Sequence, residues 1–278
     1  MTAGLVTAGG TAAAGPLVVD RTGWGRLQVT GGDRDRFLQG LTTINVEALA
    51  DGAHAWGAIL SPKGRVLSVI DLARRGDALI VACEAQLADK TRAILERYAV
   101  MDDVVFEPIT GPAHQIWDDP ASVWAAPVIE GVASGSGPES DSGPGPARPE
   151  ADPEVERLRI RAGFLRYGVD VDEDHFPFET PLARFLDYGK GCYVGQEPVF
   201  RVHAQGNAAR MLRGLTIEGA APIAAGTAIA APAKGTITSA IADGDTTRAL
   251  AFLHRTCWEP GGVLEALGRK ATVFELPW

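Results

Sequence analysis

The 278 residues carry 26 Lys and Arg against 35 Asp and Glu, a formal net charge of -9, and 46% are hydrophobic. That length can enclose two or three packed units, and the acidic balance argues against direct nucleic-acid binding, which depends on Lys and Arg neutralising phosphates. No apolar run approaches the roughly 20 residues that span a bilayer, and the 3 cysteines, Cys83, Cys192 and Cys257, form no C-x-x-C pair and leave an odd count, so no membrane and no disulfide framework are expected, and a reducing, cytoplasmic setting is.

Residues 1–16 are rich in Ala, Gly and Thr without Lys or Arg and read as a flexible tail, since a secretory signal needs a charged start. Residues 17–131 read as an α+β region. Residues 24–30 and 56–70 hold β-branched and aliphatic side chains, the second run broken by Pro62-Lys63-Gly64 as a hairpin turn, while 34–40 and 86–98 have helical character. In the longer helix Leu87, Ile94, Leu95 and Tyr98 recur near helical spacing and charged residues fill the rest. Residues 132–153 are dominated by Gly, Ser, Pro, Asp and Glu, a mixture that buries too little apolar surface to offset ordering entropy, and are expected to be a disordered linker. Residues 154–210 form a second α+β segment, in which 155–162 reads as either a helix or a strand. From 211 to 278 short apolar runs at 215–217, 227–230, 235–241, 248–253 and 271–276 alternate with Gly and Pro, the rhythm of a small antiparallel barrel or sandwich. No internal repeat is visible.

Within the second segment, Lys190-Gly191-Cys192-Tyr193-Val194-Gly195-Gln196-Glu197 sets one thiol in a polar turn between two glycines. Glycine provides the φ > 0 conformations of such a turn, and a neighbouring ammonium favours thiolate. Cys192 and Lys190 are therefore the leading functional pair. Lys190, Arg201, His203, Arg210 and Arg213 are candidates for a local basic patch able to hold an anion. The histidines show no recurrent metal-ligand spacing, so no metal site is expected.

The octapeptide resembles the K-G-C-[FY]-x-G-Q-E signature of the YgfZ family, folate-binding proteins related to the aminomethyltransferase (T-protein) of the glycine cleavage system and to a mitochondrial iron-sulfur assembly factor. Other segments keep the family's order: Arg36-Phe37-Leu38-Gln39-Gly40-Leu41-Thr42-Thr43, with Asn45 close to a common Asp; Ala58 to Leu67 around Pro62-Lys63-Gly64-Arg65; and Arg159-Ile160-Arg161-Ala162-Gly163 followed by Arg166-Tyr167-Gly168-Val169-Asp170, Pro177 and Glu179. The resemblance covers residues 17–210; the last 70 or so match in general character alone.

It implies a T-protein-like α+β fold, with two α+β regions around a central cavity and a C-terminal antiparallel β-barrel. It also implies tetrahydrofolate as ligand, whose pterin N–H groups call for a carboxylate and whose anionic tail calls for a cation. Glu179, Gln196, Glu197, Arg201 and Tyr167 are the candidate ligand-binding residues. Two departures stand out. The T-protein's catalytic Asp has no clear equivalent after 81–86, with Asp89 and Lys90 both near its place, and Arg161 sits where the family run carries the Glu that reads the pterin. The function implied is support of iron-sulfur cluster assembly or repair in client enzymes, tRNA-modifying ones included, with client or assembly proteins as partners. A folate-dependent one-carbon transferase and a non-catalytic folate-regulated binding module are the alternatives.

Overall fold

The structure is a computed structural model that describes residues 15–131, 145–206, 208–229 and 234–278. In chain order the elements are β1 (Leu17–Asp20), β2 (Gly25–Thr30), α1 (Arg34–Leu41), β3 (His54–Leu60), β4 (Val66–Arg75), β5 (Ala78–Cys83), α2 (Ala88–Tyr98), β6 (Val105–Pro108), β7 (Ala113–Trp117) and β8 (Ile129–Glu130). Then come α3 (Pro153–Ala162), 3-10 turns at Pro177–Glu179 and Pro181–Phe185, and α4 (Gln196–Gln205). The remainder is β9 (Arg210–Glu218), β10 (Ala228–Ile229), β11 (Gly235–Asp243), β12 (Thr246–His254), β13 (Val263–Ala266) and β14 (Arg269–Phe274).

Three antiparallel sheets result. The first is five-stranded in the order β3-β4-β5-β2-β6, the second is the small sheet β1-β7-β8, and the third runs β10-β11-β12-β9-β14-β13. In the last, the end strands β10 and β13 approach each other, so the sheet curls into a nearly closed barrel. Strand alternation sorts side chains between layers. On β3, Ile59 joins Phe37, Leu38 and Leu41 of α1 and Leu95 of α2 in a core beneath the helices. Trp56, Ala58 and Leu60 point the other way, into a central core shared with Trp124, Ile160 and Phe164 and with Leu212 and Phe252 of the barrel. Trp56 lies at its heart, edge-on to Trp124 at 5.5 Å and to Phe164 at 5.0 Å. A third core fills the barrel.

The ambiguity over 155–162 resolves as helix, for reasons at its two ends. Asp152 accepts from the Glu154 N–H as an N-cap and Pro153 needs no donor in the first turn, while Gly163, at φ 65°, takes the left-handed conformation that ends a helix. The space among Arg21, Trp24, Glu84, Glu150 and Arg166 holds about 10 Å³, no more than one water.

Of the expected tail at 1–16, residues 1–14, and of the expected linker at 132–153, residues 132–144, lie outside the described residues. The linker's last nine residues do not match the expectation of disorder. Arg148 N–H donates to Val18 O at 2.7 Å, Asp20 N–H donates to Arg148 O at 2.8 Å, and the Arg148 guanidinium pairs with Glu154 at 2.6 Å. Glu150 accepts from the Arg21 guanidinium and from Trp24 Nε1. Composition missed this because the anchoring partners lie some 130 residues earlier in the chain. A deletion of 134–144 is expected to leave thermal stability near wild type, whereas extending it through Arg148 removes two backbone hydrogen bonds and an ion pair and costs about 2 kcal/mol more. Equal melting temperatures for the two deletions would contradict the boundary drawn here.

Candidate functional site around Cys192

The site is assembled by the C-terminal end of α1. A helix leaves its last carbonyls without intrahelical partners, and a cation placed there meets both the lone pairs and the negative end of the helix dipole. Lys190 does this from 151 residues away. Its Nζ donates to Gln39 O at 2.7 Å, Thr42 O at 2.6 Å and Ile44 O at 2.5 Å, using all three ammonium hydrogens. Gln39 reciprocates: its Nε2 donates to Lys190 O at 2.7 Å while its Oε1 accepts from Val46 N–H at 2.7 Å. Val194 N–H donates to Gly40 O at 3.0 Å, and Asn45 Nδ2 donates to Asp187 Oδ2 at 2.8 Å. Asn45 thus suits this position because it must give a hydrogen bond to a carboxylate, which an Asp could not.

The hairpin turn holds the other end of the loop. Gly195 lies at φ 81°, and a Cβ there would fall 2.3 Å from Ser61 O; Gly64, at φ 77°, faces Gly195 O across the contact. Both glycines are needed for close approach as well as for backbone conformation. Gln196 Oε1 accepts from Tyr193 N–H at 3.3 Å, closing the turn that starts α4. Tyr193 is buried beneath it, its ring 5.0 Å from the Lys190 ammonium. With these ties made, Cys192 is the exposed cysteine, Cys257 is half-buried and Cys83 is buried.

Lys190 therefore does not serve as the free neighbouring cation expected to activate the thiol: its ammonium is buried and spent on carbonyls. Burial draws its pKa down to about 8, with Asp187 and Glu47 opposing the fall. The arginines of the expected basic patch are each engaged separately. Arg201 pairs with Glu197 at 2.5 Å on the exposed face of α4, Arg210 lies 3.3 Å from Glu179, and Arg213 donates to Trp258 O at 3.0 Å. The His203 side chain lies outside the described residues. Residues adjacent in sequence were dealt to separate elements.

The candidate folate residues each have partners within the protein. Glu179 is buried, accepts from Phe176 N–H at 2.9 Å to cap its own turn, and receives Arg210. Glu197 is a surface carboxylate. Tyr167 Oη accepts from Lys90 Nζ at 2.9 Å, and Tyr167 N–H donates to Glu84 Oε1 at 2.8 Å. Burial holds the Glu84 carboxyl above its ordinary range, against the hydrogen bonds from Tyr167 and Gln86. Glu84 and Gln39 were passed over in sequence because each finds its partner more than 80 residues away. Of the two residues near the T-protein Asp position, Lys90 faces Tyr167 and Glu173, while Asp89 lines a separate pocket with Gly25 and Arg92. Arg161 donates from Nε to Trp278 O at 3.3 Å, and Trp278 N–H donates to Arg161 O at 3.0 Å. Among the described residues no cluster of three His, Cys, Asp or Glu is placed to hold a metal, and no helix is long and apolar enough to cross a membrane.

The arrangement of two α+β layers and a six-stranded barrel is that of the T-protein. It matches the solved glycine cleavage system aminomethyltransferase T from Bartonella henselae with a TM-score of 0.74, at 18% identity, over 95% of this chain and 86% of that one. In sequence the chain is similar to proteins named tRNA-modifying protein YgfZ. It is 27% identical to that of Yersinia pestis (strain Pestoides F), covering 68% of this chain and 67% of the relative, and 27% identical to that of Yersinia enterocolitica, covering 76% and 72%. No family model matches the chain. The resemblance read from the motifs and the T-protein-like fold class both hold.

Two outcomes follow for the thiols and the lysine. Brief iodoacetamide treatment near neutral pH, read by peptide mass mapping, is expected to label Cys192 first and Cys83 last, because burial also pushes the Cys83 thiol up to about 11; preferential labelling of Cys83 or Cys257 would count against the exposed-loop geometry. Lys190→Met strands three carbonyls and is expected to cost about 2 kcal/mol near pH 7. An unfolded lysine titrates near ~10.4, so between a folded value of about 8 and that point the unfolded chain binds more protons. Wild-type stability gains from this group as pH rises through that window, and below it both states are protonated. Denaturant melts should show the gap between wild type and Lys190→Met widening from pH 8 to pH 10; a constant gap excludes a depressed Lys190.

Proposed function

We propose that this chain is a YgfZ-like accessory protein that supports iron-sulfur client enzymes, tRNA-modifying ones among them, and that Cys192 is its working group. The observation that carries the reading is the division of labour within the octapeptide: Lys190, Tyr193, Val194, Gly195 and Gln196 are tied into the body, and the thiol is left exposed at the rim. Such a thiol can meet a partner's metal or sulfur directly, and one cysteine supplies a single ligand to any cluster, so contact with iron and sulfur is shared with the client. The name of the relatives, tRNA-modifying protein YgfZ, points the same way.

Tetrahydrofolate is the ligand that the resemblance implies, and the contacts already made by the residues named for it support a reading of weak binding in this chain. Glu179 already accepts from Phe176 and Arg210, Glu197 is paired at the surface, and Arg161 offers donors where a pterin's N–H groups need an acceptor. We assign no step to folate in this chain and expect weak binding. The test is made in a bacterial strain lacking its own protein of this kind, with modified tRNA nucleosides measured by mass spectrometry. The wild-type chain restores the modification and Cys192→Ser does not; full restoration by the serine variant removes the thiol from the function. Calorimetry with tetrahydrofolate on the same protein checks the ligand separately, and micromolar affinity would overturn the expectation of weak binding.

A further inference from the structure

A cleft of about 380 Å³ opens between the 3-10 turn Pro181–Phe185, β9 and the chain that follows β14. Its floor is apolar, made by the buried side chains of Phe178, Leu212 and Leu276. Two guanidiniums stand on its walls. Arg184 donates from Nη2 to Leu276 O at 2.9 Å, and Arg213 donates from Nε to Trp258 O at 3.0 Å. Each has five N–H donors, so each keeps four beyond its single carbonyl. The carboxylates that act on them, Glu275 on both and Glu259 on Arg213, do so through space and not as ion pairs, and partial burial disfavours the charge of both arginines. Arg184 and Arg213 line one cleft, and among the described residues neither has a carboxylate in contact, whereas the half-buried Arg74 has Asp35 and Arg166 has Glu156.

We propose that this cleft binds a small organic anion, its oxyanion held between Arg184 and Arg213 and its apolar body lying on Phe178, Leu212 and Leu276. Planar guanidiniums with free forked donors match the oxygens of a phosphate ester or a carboxylate. The size falls within the range of small-ligand sites, where a few polar groups orient a mostly apolar contact. Glu275, exposed on the same cleft, weakens the field felt by an anion and sets an upper limit on affinity. None of the lining residues belongs to the Lys190–Glu197 loop, so this site stands independently of the role of Cys192.

Calorimetric titration of the full chain with phenyl phosphate, inorganic phosphate and benzoate tests the site. Phenyl phosphate or benzoate is expected to bind saturably and more tightly than inorganic phosphate, which lacks the apolar body; the tighter of the two organic anions identifies the oxyanion. Arg184→Gln and Arg213→Gln are each expected to weaken binding about tenfold, the loss of one charge-assisted contact. Glu275→Gln is expected to strengthen it by about threefold through the relieved repulsion. Because Glu275 is exposed and makes no ion pair among the described residues, that variant reads the site even where an arginine variant folds poorly. No saturable binding of any of the three anions, affinity unchanged in the arginine variants, or affinity unmoved by Glu275→Gln would overturn the proposal.

Discussion

The fold turns on one buried guanidinium. Arg159, on α3, spends all five of its N–H donors inside the protein: Nε and Nη2 on the two oxygens of Glu156 at 2.7 and 2.8 Å, Nη1 on Phe164 O and Asp170 Oδ2 at 2.7 and 2.6 Å, and Nη2 again on Ser239 Oγ at 2.7 Å. Asp170, itself wholly buried, gathers the Arg166 N–H and the hydroxyls of Thr238 and Ser239 as well. The network joins the helix, the Arg166–Asp170 turn and β11 of the barrel, so the second α+β segment and the barrel meet at a single set of charges. Burial alone would lower the arginine's pKa, and Asp170 and Glu156 hold it above its ordinary range instead. Removing one member of such a set leaves an uncompensated buried charge, which costs about 3–5 kcal/mol, although an apolar replacement of the whole set need not be destabilising. Its value here is in orientation: it leaves the barrel one way to dock.

This changes how the motifs divide into structure and chemistry. The Arg159 to Asp170 run looks like a binding signature in sequence, yet Arg159, Gly163, Arg166 and Asp170 are used for capping and cross-linking. The same holds for most of Lys190 to Glu197. Lys190 caps α1, Gly195 makes room for Ser61, and Gln196 closes a turn. What remains outward without an engaged side chain is Cys192, Glu197 being exposed but paired with Arg201, and the loop's ties are what keep the thiol there. A side chain held at a rim by neighbours that are all engaged elsewhere is a better candidate for chemistry than a cluster of reactive residue types that happen to be adjacent.

The fold was largely legible because periodicity and punctuation are local. The helix at 34–40, the hairpin at 62–64 and most barrel strands fall where alternation and glycine placed them. β13 escaped because Val263, Leu264 and Ala266 are too few to make a pattern. The site was legible only in part. The clasp between Gln39 and Lys190 spans 151 residues, and a lysine beside a cysteine in sequence gives no sign that its ammonium turns toward a helix end. Carboxylates were harder still. Glu179 and Glu197 carry the same group, but one caps a buried turn and the other pairs at i,i+4 on a helix surface, and three-dimensional context alone separates them.

Arg161 shows how a departure from a motif can be coherent with the rest of a chain. The atom it faces is Trp278 O, which accepts the hydrogen bond from its Nε. A carboxylate at this position would set acceptor against acceptor at a half-buried site, a loss of about 1–3 kcal/mol. A guanidinium reverses that sign, and the surrounding residues are shaped to match. The Trp278 ring lies so close over Gly214 that a Cβ there would fall 2.4 Å from it, it stacks on Phe274 at 6.0 Å, and Leu276 occupies the space left by the missing side chain of Gly163. Two glycines, one arginine and the segment Leu276–Trp278 thus form one packed unit joining α3 to the barrel. The swap of charge at Arg161 is inseparable from that unit: restoring a carboxylate alone would break a structural tie before it could rebuild a binding site.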